Sequence, residues 1–296
     1  MQIAKILAVT LLSVGLLQTN AHAAATQVEG QAGGGIVPWA MISSGTPTVS
    51  TTWVDTADYT LSTIGVQAGI LDRVELSYAR LTLDPGEPHA GVGHVRMNSF
   101  GGKVKLLNMS DVLPAVSVGV QYKRIDPDGT LEGILDDMGS DDSGVDFYLA
   151  ATKVLPLDSI PFMEGKKFLL NTTVRGTKAN QIGLLGFGSD NDDSYTAQLE
   201  ASAGLFLNKQ TVFGLEYRMK PDNEQTCEAT DTNCPAAFSW NENDWGDVFF
   251  AYFPNPNMAI VAAAALLGDL APVPGGSPGE GGNGQRGLYF QIQGNF

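Results

Sequence analysis

The chain has 296 residues, 43% of them hydrophobic, 35 glycines and a formal net charge of −15. That length suits one large domain or two ordinary ones. So acidic a chain is excluded as a reader of nucleic-acid phosphates and as a polybasic membrane-surface binder, because both need clustered Lys and Arg.

At the start, Lys5 precedes an almost wholly apolar run from Ile6 to Leu17, and Ala21-His22-Ala23 has the small-x-small form of a signal-peptidase site. An apolar core of about 12 residues suits a signal peptide, whereas a membrane helix needs about 20. The expected division is 1–23 signal peptide, 24–45 glycine-rich segment and 46–296 barrel domain. The segment from Gln27 to Ala40 is glycine-rich and ends in an apolar anchor at Trp39. It lacks the Gly-Lys-Ser/Thr ending of a phosphate loop. Two readings stay open for it: a flexible periplasmic leader, or a partial plug folded into the lumen.

From residue 48 onward the chain alternates apolar and polar residues at a period of two, the pattern of a half-buried strand. Val116, Val118, Val120 and Tyr122 oppose Ser117, Gly119, Gln121 and Lys123. Val145, Phe147, Leu149 and Ala151 likewise oppose Asp146, Tyr148, Ala150 and Thr152. Twelve such strands are expected, at 48–57, 59–69, 72–83, 96–107, 113–125, 143–154, 166–177, 194–206, 210–220, 245–254, 257–268 and 286–296. After the signal, no window offers about 20 apolar residues, so the chain would have to cross a membrane as strands, and an edge open to lipid requires the sheet to close. Short turns alternate with long polar loops at 84–95, 126–142, 178–193, 221–244 and 269–285, the asymmetry of outer-membrane barrels. The expected fold is all-β, an antiparallel transmembrane β-barrel of about 12 strands with both termini periplasmic. In the last strand Leu288, Phe290, Ile292 and Phe296 share one face. A terminal aromatic strand of this kind resembles the recognition signal of the outer-membrane assembly machinery, with Phe290, Ile292 and Phe296 as its residues.

Several stretches together resemble a known family. They are Val28-Glu29-Gly30, the run from Ala32 to Ala40, Asp72-Arg73-Val74-Glu75-Leu76-Ser77-Tyr78-Ala79-Arg80, and Val118-Gly119-Val120-Gln121-Tyr122-Lys123. The family is the domain of unknown function numbered 3034. The resemblance is densest from Val28 to Lys123 and implies an exported proteobacterial protein of about this size. It implies no activity and carries no functional residues across.

The inward faces offer Arg73, Glu75, Lys103, Lys105, Gln121, Lys123, Asp146, Arg175, Glu200, Glu216, Arg218, Asp247, Gln291 and Gln293 as lumen-facing candidates. Charges of both signs can line a water-filled pore or pair across a closed lumen. Cys227 and Cys234 are expected to form a disulfide, as two cysteines of an exported chain do. Among the loop acids, Asp126, Asp128, Asp190 and Asp192 are weak candidates for a divalent cation, against the plainer reading of a solvated acidic surface. His89 and His94 share a loop with no nucleophile or paired carboxylate nearby, so a barrel hydrolase is only the third reading, and no catalytic residue or cofactor is assigned. Aromatics near strand ends, including Tyr59, Trp240 and Trp245, are expected to form interface girdles, with a carbohydrate-stacking surface around Trp240 and Trp245 as the alternative. The leading function is a passive channel or small-molecule uptake pore. The runner-up is a closed structural or surface-interaction barrel whose acidic loops bind divalent ions or lipopolysaccharide. The expected partners are outer-membrane lipid, lipopolysaccharide and the assembly machinery, with no nucleic acid, for a monomer in the outer membrane.

Overall fold

The computed structural model describes residues 25–43, 45–86, 92–127, 129–228, 231, 233, 238–240, 242–271 and 284–296. Two short strands, β1 (Ala25–Thr26) and β2 (Ala32–Gly33), pair with each other and stand apart from the main sheet. The main strands are β3 (Thr48–Thr56), β4 (Thr60–Ile70), β5 (Val74–Asp84), β6 (Val95–Leu107), β7 (Ala115–Asp126), β8 (Ser143–Pro156), β9 (Lys167–Thr177), β10 (Thr196–Phe206) and β11 (Thr211–Arg218). A small hairpin, β12 (Gln225–Cys227) and β13 (Phe238–Trp240), precedes β14 (Trp245–Asn255), β15 (Met258–Gly268) and β16 (Gln285–Asn295). The twelve main strands form one closed antiparallel barrel, sealed where β16 pairs with β3, from Gly287↔Thr56 to Asn295↔Thr48. All twelve fall where the alternation places them.

The alternation has a plain physical cause. In β3 the small polar Thr48, Ser50 and Thr52 are buried while Val49 and Trp53 are exposed. Around the barrel the outward face carries Ile64, Leu76, Phe100, Val120, Phe147, Leu199, Leu215, Phe250 and Leu288, all large, apolar and exposed. A strand of about eleven residues at roughly 3.3 Å rise, tilted near 45°, spans about 25 Å, the height of an outer-membrane apolar band. Such a band excludes an aqueous surround, since so large an apolar belt is not left in water. This is a transmembrane barrel of the outer membrane, with lipid against its outer face.

Two features depart from the sequence expectation. The long loops are structured. A helix, α1 (Gly129–Asp137), buries Leu131 and Leu135, four residues apart on one face, and the segment from Ala179 to Ser189 is almost wholly buried. The acids around Leu131 and the Gly, Asn and Gln around Ile182 hide these apolar anchors from a pattern reading. Tyr59 and Trp245 are not girdle residues either. Both are buried, 4% exposed, because each projects into the lumen rather than toward lipid. The side chain of Trp240 lies outside the described residues.

Candidate functional site

The lumen is filled by the chain's own first segment. Residues 25–40 are all buried. The segment enters at the end where the chain terminates: the Thr26 hydroxyl donates to Gln293 (2.9 Å) and accepts from Gln67 (2.9 Å), and Gln291 donates to the Thr26 carbonyl. It turns within the lumen and returns to β3, with Gly30 at φ +94°, a conformation open to glycine at little cost.

Glu29 stands at the centre of the contact and is completely buried. Its carboxylate meets Arg218 at 2.5 Å, Lys123 and, at 3.9 Å, Arg175, from three separate strands. Burial alone would raise its pKa, but the charges of Arg218, Lys123 and Arg175 outweigh it and hold the group well below the ordinary carboxylate range. These cations are themselves braced. Lys123 pairs with Asp146 at 2.5 Å. Arg175 takes Glu200 at 2.5 Å, Asp146 at 3.3 Å and the Gln121 side-chain oxygen at 2.6 Å. Arg218 reaches Glu200 at 3.3 Å.

A second clamp lies one strand pair away. Glu75 and Lys103 form a fully buried ion pair of 3.2 Å. Glu75 accepts the backbone N–H of Ala32 (3.0 Å) and Ser43 (2.8 Å), and Lys103 donates to the carbonyls of Ala32 (2.8 Å) and Met41 (3.1 Å). A third is Glu216, which accepts from Gly35 N–H (2.6 Å), Ile36 N–H (2.8 Å) and the Ser202 hydroxyl (2.6 Å). Trp39 donates its indole N–H to that same Ser202 at 3.0 Å, and Tyr148 donates to Gln31 at 2.7 Å. Buried backbone groups of an irregular segment need such partners, and the barrel wall supplies them.

The segment 178–193 closes the lumen from the long-loop end. Gln181 and Ile182 have φ of 43° and 60°, strained for side-chain-bearing residues and most of all for a β-branched one. The turn points the Ile182 carbonyl at Lys123 Nζ, 3.0 Å away. Gln181 accepts from Lys220 at 3.0 Å and donates its backbone N–H to Glu242 at 2.7 Å. Burial pushes the Lys220 ammonium pKa down, and burial likewise pushes the Glu242 carboxyl pKa up, though each is the other's ion-pair partner.

Of the lumen candidates, Glu75, Lys103, Lys123, Arg175, Glu216, Arg218, Gln291 and Gln293 touch the first segment. Gln121, Asp146 and Glu200 form the layer behind them, and Asp247 lines a cavity beside them. Two lie elsewhere. Arg73 is exposed in the tight turn after β4, where its N–H closes back on Ile70 O at 3.0 Å before pairing resumes at Val74. Lys105 sits at the rim, bonded to Asp72 at 2.6 Å. Sequence reasoning missed Glu29 itself. The signal available was a lone acid in a glycine-rich apolar leader, facing a barrel with several inward cations.

Most of the other candidate residues lie in or beside the long loops. Asp126 and Asp190 are exposed, Asp192 accepts from Ser194 N–H at 2.8 Å, and Asp128 lies outside the described residues. No group of three or more His, Cys, Asp or Glu suited to a metal occurs among the described residues. Asp141 and Asp193 are instead held by Lys178. Its partial burial works against the charge, but the hydrogen bonds it donates to Asp193 and Asp141 prevail and raise its pKa. His94 pairs with Asp84 at 3.3 Å on the surface, and His89 lies outside the described residues. Cys227 is buried in β12, and Cys234, its expected partner, lies outside them too. Phe290, Ile292 and Phe296 face outward.

A family model described as "Protein of unknown function (DUF3034)" matches residues 22–293. No curated protein matches the chain. Among solved structures the chain is similar to the KdgM porin in complex with disordered oligogalacturonate, at 7% identity and TM-score 0.49 over 84% of this chain and 99% of that one. It is similar to the NanC porin at 10% identity and TM-score 0.47, over 84% and 100%. It is also similar to the Acinetobacter baumannii outer membrane protein Omp33 at 7% identity and TM-score 0.43, over 85% and 98%. At these values the likenesses carry no functional argument.

Proposed function

The chain belongs to the DUF3034 family, described as of unknown function, so no activity comes with the family, and we propose from the geometry that it is an outer-membrane pore for small solutes held shut by its own residues 25–43. The observation that carries this reading is Glu29: a completely buried carboxylate of a segment outside the barrel wall, gripped by Lys123, Arg175 and Arg218 of that wall. The inward side chains support it. A barrel that is only a scaffold fills its interior with wall side chains. Here much of the inner face is small: Ser50, Thr52, Thr63, Ser99, Ser117, Thr173, Ser202, Ala263 and Ala265 are all buried. The separate segment occupies the room they leave. Without it the lumen would be wide and lined by charges of both signs, a surface that holds water.

On this reading 1–23 is removed on export and both termini are periplasmic. The plug then enters from the periplasm, and the loops bearing α1 and the β12–β13 hairpin face outward, with Cys227 and Cys234 bridged there. Phe290, Ile292 and Phe296 face lipid as the assembly signal of a monomer.

Planar-bilayer recording of the refolded mature chain and of a variant lacking residues 25–43 tests the proposal. The intact chain should carry little current and the deleted one stable ohmic steps. A deleted barrel that migrates as folded on unheated gels yet carries no current would reject the pore.

A further inference from the structure

Beside the plug lies a cavity of about 40 Å³, walled by apolar side chains that include Val28 and Ile36 of the plug and Leu61, Ala265 and Leu267 of the barrel. Into this apolar surround project Asp247 and Trp245, both 4% exposed. Neither carboxylate oxygen of Asp247 and not the indole N–H of Trp245 has a hydrogen-bond partner among the described residues. Buried polar groups without partners are rare and call for an explanation.

The charge is unusual too. Glu29, Glu75, Asp146, Glu200 and Glu242 each have a cation within ion-pair distance. Glu216 and Asp247 are the lumenal acids with none among the described residues, and they face each other in register on β11 and β14. They also converge: a Cβ added to Gly35 would lie 3.2 Å from Asp247 Oδ2 and 3.4 Å from Glu216 Oε2. Glu216 already accepts from two plug N–H groups and Ser202, so most of the acceptor capacity left over belongs to Asp247, neither of whose oxygens has a partner among the described residues.

We propose that this cavity is a binding site for a small primary alkylammonium, its charge on Asp247 and its hydrocarbon chain against the apolar wall. A hard metal ion would need about six oxygen ligands, which so apolar a lining does not supply. An ammonium brings three donors and a charge and buries its chain. The cavity has room for on the order of three waters, which limits the guest to a short chain. As the solute class of the pore, this inference rests on the pore reading; the binding itself does not.

Calorimetric titration of the refolded full chain in detergent with ethylammonium chloride tests it, with ethanol as the neutral isostere and empty micelles as blank. Saturable binding of the amine is expected, with the alcohol at least about tenfold weaker, a difference of about 1.4 kcal/mol. Asp247→Asn should abolish the preference, and Ala265→Leu, which fills the cavity, should abolish binding in a barrel that still migrates as folded. Equal affinity for amine and alcohol, no binding of either, or amine binding unchanged in Asp247→Asn would each overturn the site. If Asp247→Asn does not fold, unchanged binding in Ala265→Leu overturns it instead. The two proposals fail separately. A silent deleted barrel rejects the pore whatever the titration shows, and a conducting one with no amine binding rejects only the site.

Discussion

Two walls of the lumen hold the same segment by different means. The wall from β5 to β11 is charged: Glu75, Lys103, Lys123, Asp146, Arg175, Glu200 and Arg218 are buried there and interlocked. The wall from β14 through β16 to β4 buries a single charge, Asp247; Phe249, Ala251, Val261, Ala263, Ala265, Leu267, Val54 and Leu61 face in as an apolar surface, and the neutral Gln67, Gln291 and Gln293 bond Thr26 at one end. Strand β15 is apolar on both faces, since Ala262, Ala264 and Leu266 face out. The apolar wall stabilises the plug in proportion to the area it covers and tolerates small shifts. The charged wall contributes little net free energy, because its ions are desolvated, but losing one partner leaves the others buried and unpaired. It therefore fixes one position of the plug and makes any other costly.

The largest expected effect comes from breaking the charged wall at its centre. Glu29→Gln leaves Lys123, Arg175 and Arg218 with less negative charge than they need and should destabilise the plugged state by about 3–5 kcal/mol. Protease accessibility of residues 25–43 and bilayer current both read this out, and a plug that remains protected would show that the apolar wall suffices alone. The same wall predicts the response to acid. The Glu29 pKa in the plugged state is depressed below its ordinary value of 4.5. Its contribution is therefore fully present above that value and is lost only as the pH falls through the lower, plugged-state pKa. Current recorded against pH should stay low through pH 4.5 and rise only in stronger acid; opening between pH 5 and 7 would remove Glu29 as the holding group.

The apolar wall is next. Ile36 is buried, 4% exposed, at the cavity between plug and barrel. Ile36→Ala should cost about 2–4 kcal/mol of plug retention, the usual cost of such a truncation. The acid threshold should change little, because no ionisable contact is altered. A shift of that threshold as large as that in Glu29→Gln would mean that the two walls do not act independently.

The two walls also differed in how readable they were. The twelve strands follow from local alternation, and the inward acids and bases follow from the same parity. That parity also carries Trp245, two residues before Asp247 on β14, into the lumen, where the rule for aromatics near strand ends placed it at the membrane interface. Such a residue belongs to a girdle only on the lipid face. What no local pattern shows is Glu29 meeting Arg218 across 189 positions of sequence. The glycine-rich stretch leaves a flexible leader and a partial plug equally open to a sequence reading, because its backbone partners, Glu75, Lys103 and Glu216, come from distant strands. The segment 178–193 was hidden for the same reason, its polar Asn180 and Gln181 being satisfied only once Asn223 and Lys220 are brought beside them.

A smaller effect tests how closely the plug fits. A Cβ on Gly34 would lie 1.9 Å from Glu216 Oε1. A free glutamate would swing aside, but this one is held by two plug N–H groups and Ser202. Gly34→Ala should therefore cost about 1–3 kcal/mol of plug retention, as overpacking of a filled site does. Glu216→Gln should not relieve it, since the side chain keeps its size. Wild-type protease protection in Gly34→Ala would mean that the plug rides more loosely than its hydrogen bonds imply.

The smallest effect separates positioning from holding. Tyr148 donates to Gln31 at 2.7 Å while its ring lies 5.4 Å from the Arg175 guanidinium carbon. Tyr148→Phe keeps the ring beside the cation and removes one neutral hydrogen bond. The cost should be about 1 kcal/mol, with the Gln31 acceptor left unmet. Bilayer current at neutral pH should be unchanged, because the Glu29 cluster still fixes the plug. Combined with Ile36→Ala the two losses should add, because Tyr148 holds the plug at Gln31 and the Ile36 side chain lies at the cavity, with no partner in common, and protease protection can measure the sum. A double variant that opens the pore as fully as Glu29→Gln would show that the charged wall holds the plug only while its neutral contacts keep the segment in register.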